Sequence, residues 1–349
     1  MELLKSTLFK IHRVKSDSGI RAKEHLDNLT KPPGSLGVLE EIIIQLASVQ
    51  ENHKPKLGKK TVMIMAADHG VVEEGVSAFP QEVTAQMLQN FANEGAAINV
   101  FSKHAGFDIA IADIGVATDT SMIPKIKQHK IASGTKNMTR EPAMSKEEAI
   151  EAIEIGIKLV NDEIDNGSTL IATGEMGIGN TTASSAILAC VSENDLDEIT
   201  GRGTGVNNES FTLKKNSIKK AIELNKPNKL DPLDIVSKVG GLEIAALTGV
   251  ILGAIARKTP VIIDGFISSA AALLAVQFNA YCRDYLFASH LSQEPGHRVM
   301  LDFMELKPML YLDLRLGEGT GAVLATNQLE AAIKIVHEMA TFDEAGISS

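Results

Sequence analysis

Short runs of apolar residues alternate along the chain with segments in which apolar positions recur at helical spacing. The runs predict buried β-strands at residues 61–67, 107–114, 168–172 and 260–263. The helical patterns predict helices at residues 81–104, 145–164, 180–190, 242–257, 268–278 and from 318 or 319 to about 340. Strands of roughly four to eight residues that alternate with helices are typical of a parallel sheet covered by helices on both faces. We therefore predict an α/β fold with right-handed crossovers.

The first 60 residues carry helical patterns, apart from a Pro/Gly turn at residues 31–37. No Pro/Gly/Ser-rich linker, low-complexity tract or fixed-period repeat divides the chain. We therefore expect residues 1–60 to form a helical N-terminal segment that contributes to a smaller helical subdomain. Residues 61–349 are expected to form the main α/β domain with its C-terminal helices.

Composition and charge narrow the class of protein. Of the 349 residues, 44% are hydrophobic and 22% are charged, values that indicate a globular chain. The formal net charge is −10, and aromatic residues make up 4% of the chain. Because nucleic-acid and anionic-membrane surfaces need clustered Lys and Arg, we predict neither a nucleic-acid partner nor a membrane partner.

The sequence also indicates the cellular compartment of the protein. Its most apolar region, residues 242–278, is interrupted by charged residues such as Glu243 and Arg257, so it predicts buried core and not a membrane span. The N-terminus lacks the continuous apolar run of a secretory signal. Cys190 and Cys282 lie in apolar segments and predict core thiols in a reducing compartment. Together these features predict a cytoplasmic protein.

Acidic and glycine-rich residues follow the predicted strands, where ligands bind in open α/β sheets. They are Asp68-His69-Gly70, Asp113-Ile114-Gly115, residues 174–182 and Asp264-Gly265, with further glycine-rich loops at residues 201–205 and 317–321. Glycine-rich turns at helix starts suit phosphate, because backbone N–H groups can approach the anion. No loop matches G-x-G-x-x-G, and the chain contains no G-x-x-x-x-G-K-[ST]. The sequence therefore argues against an ordinary dinucleotide oxidoreductase and against a P-loop NTPase.

Glu318 lies between two glycines, after an apolar run and before a predicted helix. A helix dipole favours a carboxylate near the N-terminus, so this residue could simply be a first-turn charge. The alternative interpretation is a general base that opens onto a cleft, with Glu175 as a second carboxylate for positioning.

Other catalytic groups have weaker signals. The nine histidines show no H-x-x-x-H spacing, so we predict no metal site. Ser35, Ser77 and Ser292 lack a G-x-S-x-G context, which argues against a hydrolase nucleophile.

Several short motifs combine glycine, proline and charged residues in a distinctive order. They are Lys31-Pro32-Pro33-Gly34-Ser35-Leu36-Gly37, Ala67-Asp68-His69-Gly70 with Glu74-Gly75-Val76 and Pro80, residues 174–182 (GEMGIGNTT), Ser237-Lys238-Val239-Gly240-Gly241, Asp264-Gly265-Phe266 and residues 315–322 (RLGEGTGA). Together they resemble the nicotinate-nucleotide–dimethylbenzimidazole phosphoribosyltransferase family, over roughly residues 20 to 340.

The resemblance implies a Rossmann-like α/β fold, a homodimer and an activity without metal or tightly bound cofactor. It implies transfer of the 5-phosphoribosyl group from nicotinate mononucleotide to 5,6-dimethylbenzimidazole, a step of cobalamin biosynthesis. The products would be α-ribazole 5′-phosphate and nicotinate, with inversion at C1′.

The family's functional positions map onto individual residues of this chain. Glu318 matches the catalytic base, and Glu175 and Gly177 match positions near the ribose and phosphate, beside Asn180 and Thr181. The remaining matches are Gly203, Lys214, Asp264 and Ser292 around the nucleotide, and Phe79, Pro80 and Met87 in the wall of the aromatic-base pocket. Lys214 is expected to balance phosphate charge as a point cation.

The chain departs from the family pattern at Phe79 and Met87, where better-studied members carry Ser and Gln. This difference predicts a more apolar acceptor pocket and leaves other benzimidazoles, purines such as adenine, and phenols open as acceptors. Two other functions also remain open: a nucleotide-dependent oxidoreductase, and a non-catalytic protein that binds a nucleotide or benzimidazole.

Overall fold

A computed structural model describes residues 1–348 and contains a six-stranded sheet. Its strands are β1 (Lys59–Ala67), β2 (Phe107–Gly115), β3 (Ile126–Gln128), β4 (Ser168–Met176), β5 (Val261–Ile263) and β6 (Leu286–Ala288). The strand order is β3-β2-β1-β4-β5-β6, and every neighbouring pair is parallel. This is the doubly wound order of Rossmann-like sheets, and it confirms the predicted α/β class.

Helices connect the strands and cover the sheet. In chain order they are α1 (Glu2–Phe9), α2 (Asp17–Asp27), α3 (Val38–Val49), α4 (Val83–Ala92), α5 (Ala97–Ala105), α6 (Lys146–Asp165), α7 (Asn180–Val191), α8 (Leu196–Ile199), α9 (Asn208–Asn225), α10 (Pro232–Val239), α11 (Leu242–Ala256), α12 (Phe266–Phe278), α13 (Pro295–Phe303), α14 (Thr320–Glu338) and α15 (Phe342–Ala345). Short 3₁₀ helices lie at Gly70–Glu74 and Ala280–Tyr285.

Both faces of the sheet are buried, and alternate side chains of β1 pack into two different hydrophobic cores. Met63, Met65 and Ala67 belong to a hydrophobic core that includes residues of α6 and α11. The intervening residues Val62 and Ile64 belong to a second core, formed with residues of α3, α4, α5 and α14. Successive side chains of a strand point to opposite faces, so a continuous apolar run supplies both cores.

The N-terminal helices divide between these two layers. Helix α1 packs against α6 and α11, whereas α2 packs on α3, and α3 packs on α14. Leu29 also forms an antiparallel bridge to Thr341, which ties the N-terminal segment to the C-terminal part of the chain.

Three details of the predicted elements are wrong. The helix predicted at residues 81–104 is two helices, because the chain turns between α4 and α5, where Glu94 has a φ of 61°. The strand predicted at residues 168–172 continues to Met176, so Gly174 and Glu175 belong to β4 and the following loop is short. The three-residue strands β3 and β6 were not predicted.

Within residues 1–348, no helix is both long and apolar enough to cross a bilayer.

Candidate active site

The carboxyl ends of the parallel strands meet at one edge of the sheet, and a cavity of about 480 Å³ opens there. Glu175 reaches it from the end of β4, Asp264 from the end of β5 and His290 from the segment after β6. The turn at residues 315–318, just before α14, forms another side. The strand order reverses between β1 and β4, the position at which open α/β sheets bind ligands.

Glu318 lies in a turn of unusual backbone conformation. Gly317, Glu318 and Gly319 have φ angles of 85°, 65° and 87°, so three successive residues are left-handed. A non-glycine residue in this region costs roughly 1–3 kcal/mol, and it persists only when its surroundings hold it there. Gly174 of β4 permits the close packing, because a Cβ atom at this position would lie 2.7 Å from the carbonyl oxygen of Glu318.

Asp264 holds this turn through three hydrogen bonds. Its Oδ2 accepts from the Gly319 N–H (3.0 Å), and its Oδ1 accepts from the N–H groups of Gly321 (2.8 Å) and Ala322 (3.1 Å). These are free donors at the N-terminus of α14, where a carboxylate is also favoured by the helix dipole. Asp264 therefore fixes the backbone that carries Glu318. Burial raises the pKa of Asp264, while His290 and the backbone N–H groups oppose that rise.

The Glu318 carboxyl group is suited to take up a proton. The residue is 5% exposed, and within residues 1–348 its Oε2 atom has no hydrogen-bond partner. Burial raises the pKa of Glu318 to about 7, the charge of Asp264 adds to the rise, and the Ile98 backbone N–H opposes it. A carboxylate with a pKa near neutrality is an efficient general base at neutral pH.

This pKa makes the stability of the protein depend on pH. A carboxyl group whose pKa rises from 4.5 to about 7 on folding destabilises the folded state by about 3 kcal/mol once both states are ionised. The Glu318→Gln variant should therefore gain stability over the wild type as pH rises from 4.5 through 7. Urea unfolding at pH 4 and pH 8 measures this difference. The exposed Glu94, whose pKa is lowered by Lys125, is the control: Glu94→Gln should not show this gain.

Glu175 is a second buried carboxyl group, and it accepts a hydrogen bond from the Asn180 side chain. Burial raises the pKa of Glu175 well above its usual range, and the charges of Asp264, Glu243 and Glu318 add to the rise. Closely spaced carboxyl groups with different environments can divide proton transfer and positioning between them. Glu175 is thus suited to hold a proton and donate it to a bound hydroxyl or anion.

The loop at residues 177–179 links β4 to α7. Helix α7 begins at Asn180, and Gly177, Ile178, Asn180 and Thr181 line the cavity. The N-terminus of this 12-residue helix therefore directs the positive end of its dipole at the cavity, an arrangement that favours phosphate.

Behind Thr181 lies a buried lysine. Lys214 is fully buried, and its Nζ donates to the Thr181 hydroxyl and to the Gly201 carbonyl, each at 3.0 Å. Burial lowers the pKa of Lys214 to about 8, and the charge of Glu294 opposes that shift. Lys214 therefore lies one side chain away from the cavity and does not line it, so its charge would reach a ligand through Thr181.

One wall of the cavity is apolar. Phe79, Val83 and Met87 face it from the start of α4 and the segment before it, and further apolar lining comes from Met176, Ile178, Phe266, Ile267 and Leu316. Pro80 is exposed and lies outside this lining. An apolar wall in a cavity that also holds a carboxylate suits a flat heteroaromatic ring.

The structure brings most of the sequence-predicted site residues together. Those that line the cavity are Phe79, Met87, Glu175, Gly177, Asn180, Thr181, Gly203, Asp264, Ser292 and Glu318. Sequence reasoning missed Arg315, His290 and Glu294, which also line it. Arg315 begins the glycine-rich motif at residues 315–322. His290 and Glu294 follow the short strand β6, which the sequence pattern did not reveal.

Charge is unevenly distributed in the cavity. Four carboxyl groups line it, from Glu175, Asp264, Glu294 and Glu318. Among the described lining residues, Arg315 supplies a positively charged guanidinium group, which donates a hydrogen bond to the Gly203 carbonyl oxygen at 3.3 Å. Arg315 and the backbone N–H groups at the start of α7 are therefore suited to bind anionic ligand groups.

Comparison with known proteins adds independent information. A family model described as Phosphoribosyltransferase matches residues 11–347. A relative from Dehalococcoides mccartyi (strain BAV1), named nicotinate-nucleotide–dimethylbenzimidazole phosphoribosyltransferase, is 51% identical over 348 residues, which cover 100% of this chain and 99% of the relative. A relative of the same name from Citrifermentans bemidjiense is 49% identical over 349 residues, 100% of both chains. The crystal structure of CobT from Thermus thermophilus matches with a TM-score of 0.92 and 45% identity, over 95% of this chain and 99% of that one.

Proposed function

Because the chain belongs to the nicotinate-nucleotide–dimethylbenzimidazole phosphoribosyltransferase family, we propose that it transfers the 5-phosphoribosyl group of nicotinate mononucleotide to 5,6-dimethylbenzimidazole or a related base. The products are α-ribazole 5′-phosphate and nicotinate, in the assembly of the nucleotide loop of cobalamin.

One structural observation supports this proposal independently of the family membership. The buried carboxyl group of Glu318, whose Oε2 has no hydrogen-bond partner within residues 1–348, lines a cavity that also has an apolar wall and the N-terminus of α7. The apolar wall suits the acceptor ring, and the start of α7 with the loop at residues 177–179 suits the phosphate of the donor.

Glu318 acts as the general base in this reaction. Its carboxylate takes the proton from the benzimidazole N–H, so the ring forms the new bond without acquiring a permanent positive charge. The second ring nitrogen attacks C1′ of the ribose from the face opposite nicotinate. The bond from C1′ to the pyridine nitrogen breaks, its electron pair neutralises that nitrogen, and the β-configured donor gives an α-configured product.

The remaining predicted residues bind and position the substrates. The residues assigned to the donor are Gly177, Asn180, Thr181, Gly203 and Ser292, with the Lys214 charge behind Thr181. Glu175 binds near the ribose, and Asp264 positions the Glu318 turn. Phe79 and Met87 are assigned to the acceptor end, and Pro80 adjoins Phe79 outside the lining. Holding two reactants in line can supply roughly 7–11 kcal/mol of the barrier reduction.

The apolar wall predicts the preferred class of acceptor. Adenine would bring an exocyclic amine and several ring nitrogens against Phe79, Val83 and Met87, where they would lack partners, and each unpaired group costs about 1–3 kcal/mol. We expect kcat/KM for 5,6-dimethylbenzimidazole to exceed that for adenine by about 10²-fold, the factor that such a cost implies. Competition assays with a mixture of the two bases measure this ratio.

A matched pair of variants tests the same prediction. Met87→Gln places an amide in the wall and should shift the ratio toward adenine. Met122→Gln changes a methionine that is 91% exposed and lines no part of the cavity, so it should leave the ratio unchanged. An unchanged ratio in Met87→Gln would argue that the wall does not select the acceptor.

The proposed reaction itself is tested with purified protein, nicotinate mononucleotide and a panel of benzimidazoles, purines and phenols. We expect a product of the mass of α-ribazole 5′-phosphate, with the α configuration shown by NMR coupling at C1′. Absence of any ribosylated base would contradict the proposed function.

The wider organisation expected from the sequence remains part of this proposal. The protein is a homodimer that acts in the cytoplasm, built of an N-terminal helical segment (residues 1–60) that contributes to a smaller subdomain and a main domain (residues 61–349), of which residue 349 lies outside the described residues. Sedimentation equilibrium distinguishes a dimer from a monomer of 37.3 kDa.

A further inference from the structure

The hydroxyl group of Thr84 is fully buried and joins two separate parts of the site. It donates to Asp68 Oδ1 at 2.6 Å, and it accepts a hydrogen bond from the Ile178 backbone N–H at 3.1 Å. Asp68 follows β1, Thr84 lies in the first turn of α4, and Ile178 lies in the loop between β4 and α7. A single side-chain oxygen therefore connects three elements that are distant in sequence.

The direction of these two hydrogen bonds is fixed. The other oxygen of Asp68, Oδ2, accepts from the Ala117 N–H at 2.8 Å, so the Asp68 carboxylate faces donors at both oxygens. The Thr84 hydroxyl hydrogen is committed to Asp68, and its lone pair remains for Ile178. A backbone N–H can only donate, so Ile178 needs this acceptor or would be left buried without one.

The two elements that Thr84 joins both contribute residues to the cavity. Helix α4 presents Met87 to the acceptor wall, one turn beyond Val83, which adjoins Thr84. Ile178 belongs to the loop assigned to the donor phosphate, and its side chain also lines the cavity. A shift of α4 must therefore strain the bond to the donor loop, and a shift of the donor loop must strain its bond to α4.

We propose that Thr84 is a positioning residue that couples the acceptor wall to the donor loop, so that each substrate orders the site for the other. This proposal rests on the proposed function, which supplies the identity of the two substrates. Thr84 does not line the cavity and acts through its neighbours. Glu318 is held independently by Asp264, so the chemical step at saturation depends less on Thr84 than substrate binding does.

Replacing Thr84 by valine or by serine distinguishes the hydrogen bonds of the hydroxyl group from the packing of the side chain. Thr84→Val keeps the shape but leaves Asp68 Oδ1 and the Ile178 N–H without partners, whereas Thr84→Ser keeps the hydroxyl. We expect Thr84→Val to raise KM for both nicotinate mononucleotide and 5,6-dimethylbenzimidazole by roughly tenfold, with a smaller change in kcat. Thr84→Ser should restore both KM values to within about threefold of the wild type.

Coupling is measured directly in proteins that also carry Glu318→Gln, so that both substrates can be bound with little turnover. Isothermal titration with nicotinate mononucleotide, with and without 5,6-dimethylbenzimidazole, gives the factor by which one tightens the other. We expect roughly fivefold or more when Thr84 is present and near unity in the protein that also carries Thr84→Val, with the same factor in either order of addition. A factor of one in the presence of Thr84 would overturn the proposal.

Hydrogen exchange supplies a readout that needs no activity. The Ile178 amide should exchange at least about tenfold faster in Thr84→Val than in the wild type, and Thr84→Ser should retain its protection. If Thr84→Val does not fold, Thr84→Ala removes the same hydroxyl with less steric demand and serves in its place. Unchanged exchange at Ile178, or equal effects of the valine and serine variants on KM, would overturn the proposal while leaving the transferase assignment intact. A wild type that makes no ribosylated base would instead contradict the proposed function.

Discussion

Replacement of Glu318 by Gln should lower kcat by about 10²–10⁴-fold, the range typical of a positioned general base. The substitution keeps the size of the side chain and the left-handed backbone, since Gln and Glu have the same steric cost at a φ of 65°. It removes the group that accepts the benzimidazole proton. The KM values should change much less, because the acceptor wall and the donor loop are untouched. Initial rates at saturating substrates measure the effect.

Glu305 offers a matched control for that experiment. It is also a glutamate with a left-handed backbone, at a φ of 59°, but it is exposed and paired with Arg283 away from the cavity. Glu305→Gln should have wild-type kcat. If Glu318→Gln retained turnover within a few-fold of the wild type, another group would have to be the base.

Replacement of Asp264 by Asn should have the second largest effect. An amide can match only one of the two acceptor positions, so its NH₂ group faces either the Gly319 N–H or the N–H groups of Gly321 and Ala322. Opposed donors in a buried site cost about 1–3 kcal/mol and displace the turn that carries Glu318. We expect kcat to fall by roughly 10–10²-fold, in line with the effect of a small misplacement of a reacting group. Initial rates at saturating substrates again provide the measurement.

The pH dependence distinguishes this explanation from general damage to the fold. The Asp264 charge contributes to the raised pKa of Glu318, so its removal should move the inflection of the kcat/KM profile, which reports the free protein, to lower pH. Asp231 is the control, because it caps α10 through the N–H groups of Leu233 and Asp234 outside the cavity. Asp231→Asn should leave both kcat and the inflection unchanged. An unshifted inflection in Asp264→Asn would mean that the two carboxyl groups do not interact.

Much of the fold could be predicted because the central strands are strongly apolar. In β1 all residues from Lys60 to Ala67 are buried, and such a run is typical of a sheet covered on both faces. The site could be predicted in part for a related reason. The carboxyl ends of parallel strands converge, so Glu175 and Asp264 were expected to lie near one another without any knowledge of their side-chain contacts.

The remainder depends on tertiary contacts that leave little trace in the sequence. Strand β6 has three residues and exists through its pairing with β5, so neither it nor the cavity residue His290 after it had a local signal. Lys214 was expected to balance phosphate charge as a point cation, yet α9 directs its side chain beneath Thr181. Thr84 is an ordinary residue in a helical pattern, and its two buried hydrogen bonds follow only from how β1, α4 and the donor loop meet.

The rate of phosphoribosyl transfer as a function of pH tests the central claim most directly. It is measured from about pH 5 to pH 9, a range that brackets neutrality, with nicotinate mononucleotide and 5,6-dimethylbenzimidazole well below their KM values, so that the profile reports the pKa of the free protein. The wild type and Glu318→Gln are assayed side by side, so that titration of the substrates affects both equally. Since burial raises the pKa of Glu318 to about 7, the ratio of wild-type to variant rate should rise with pH through neutrality and level off above it. A ratio that is constant across this range would contradict the assignment of Glu318 as the base.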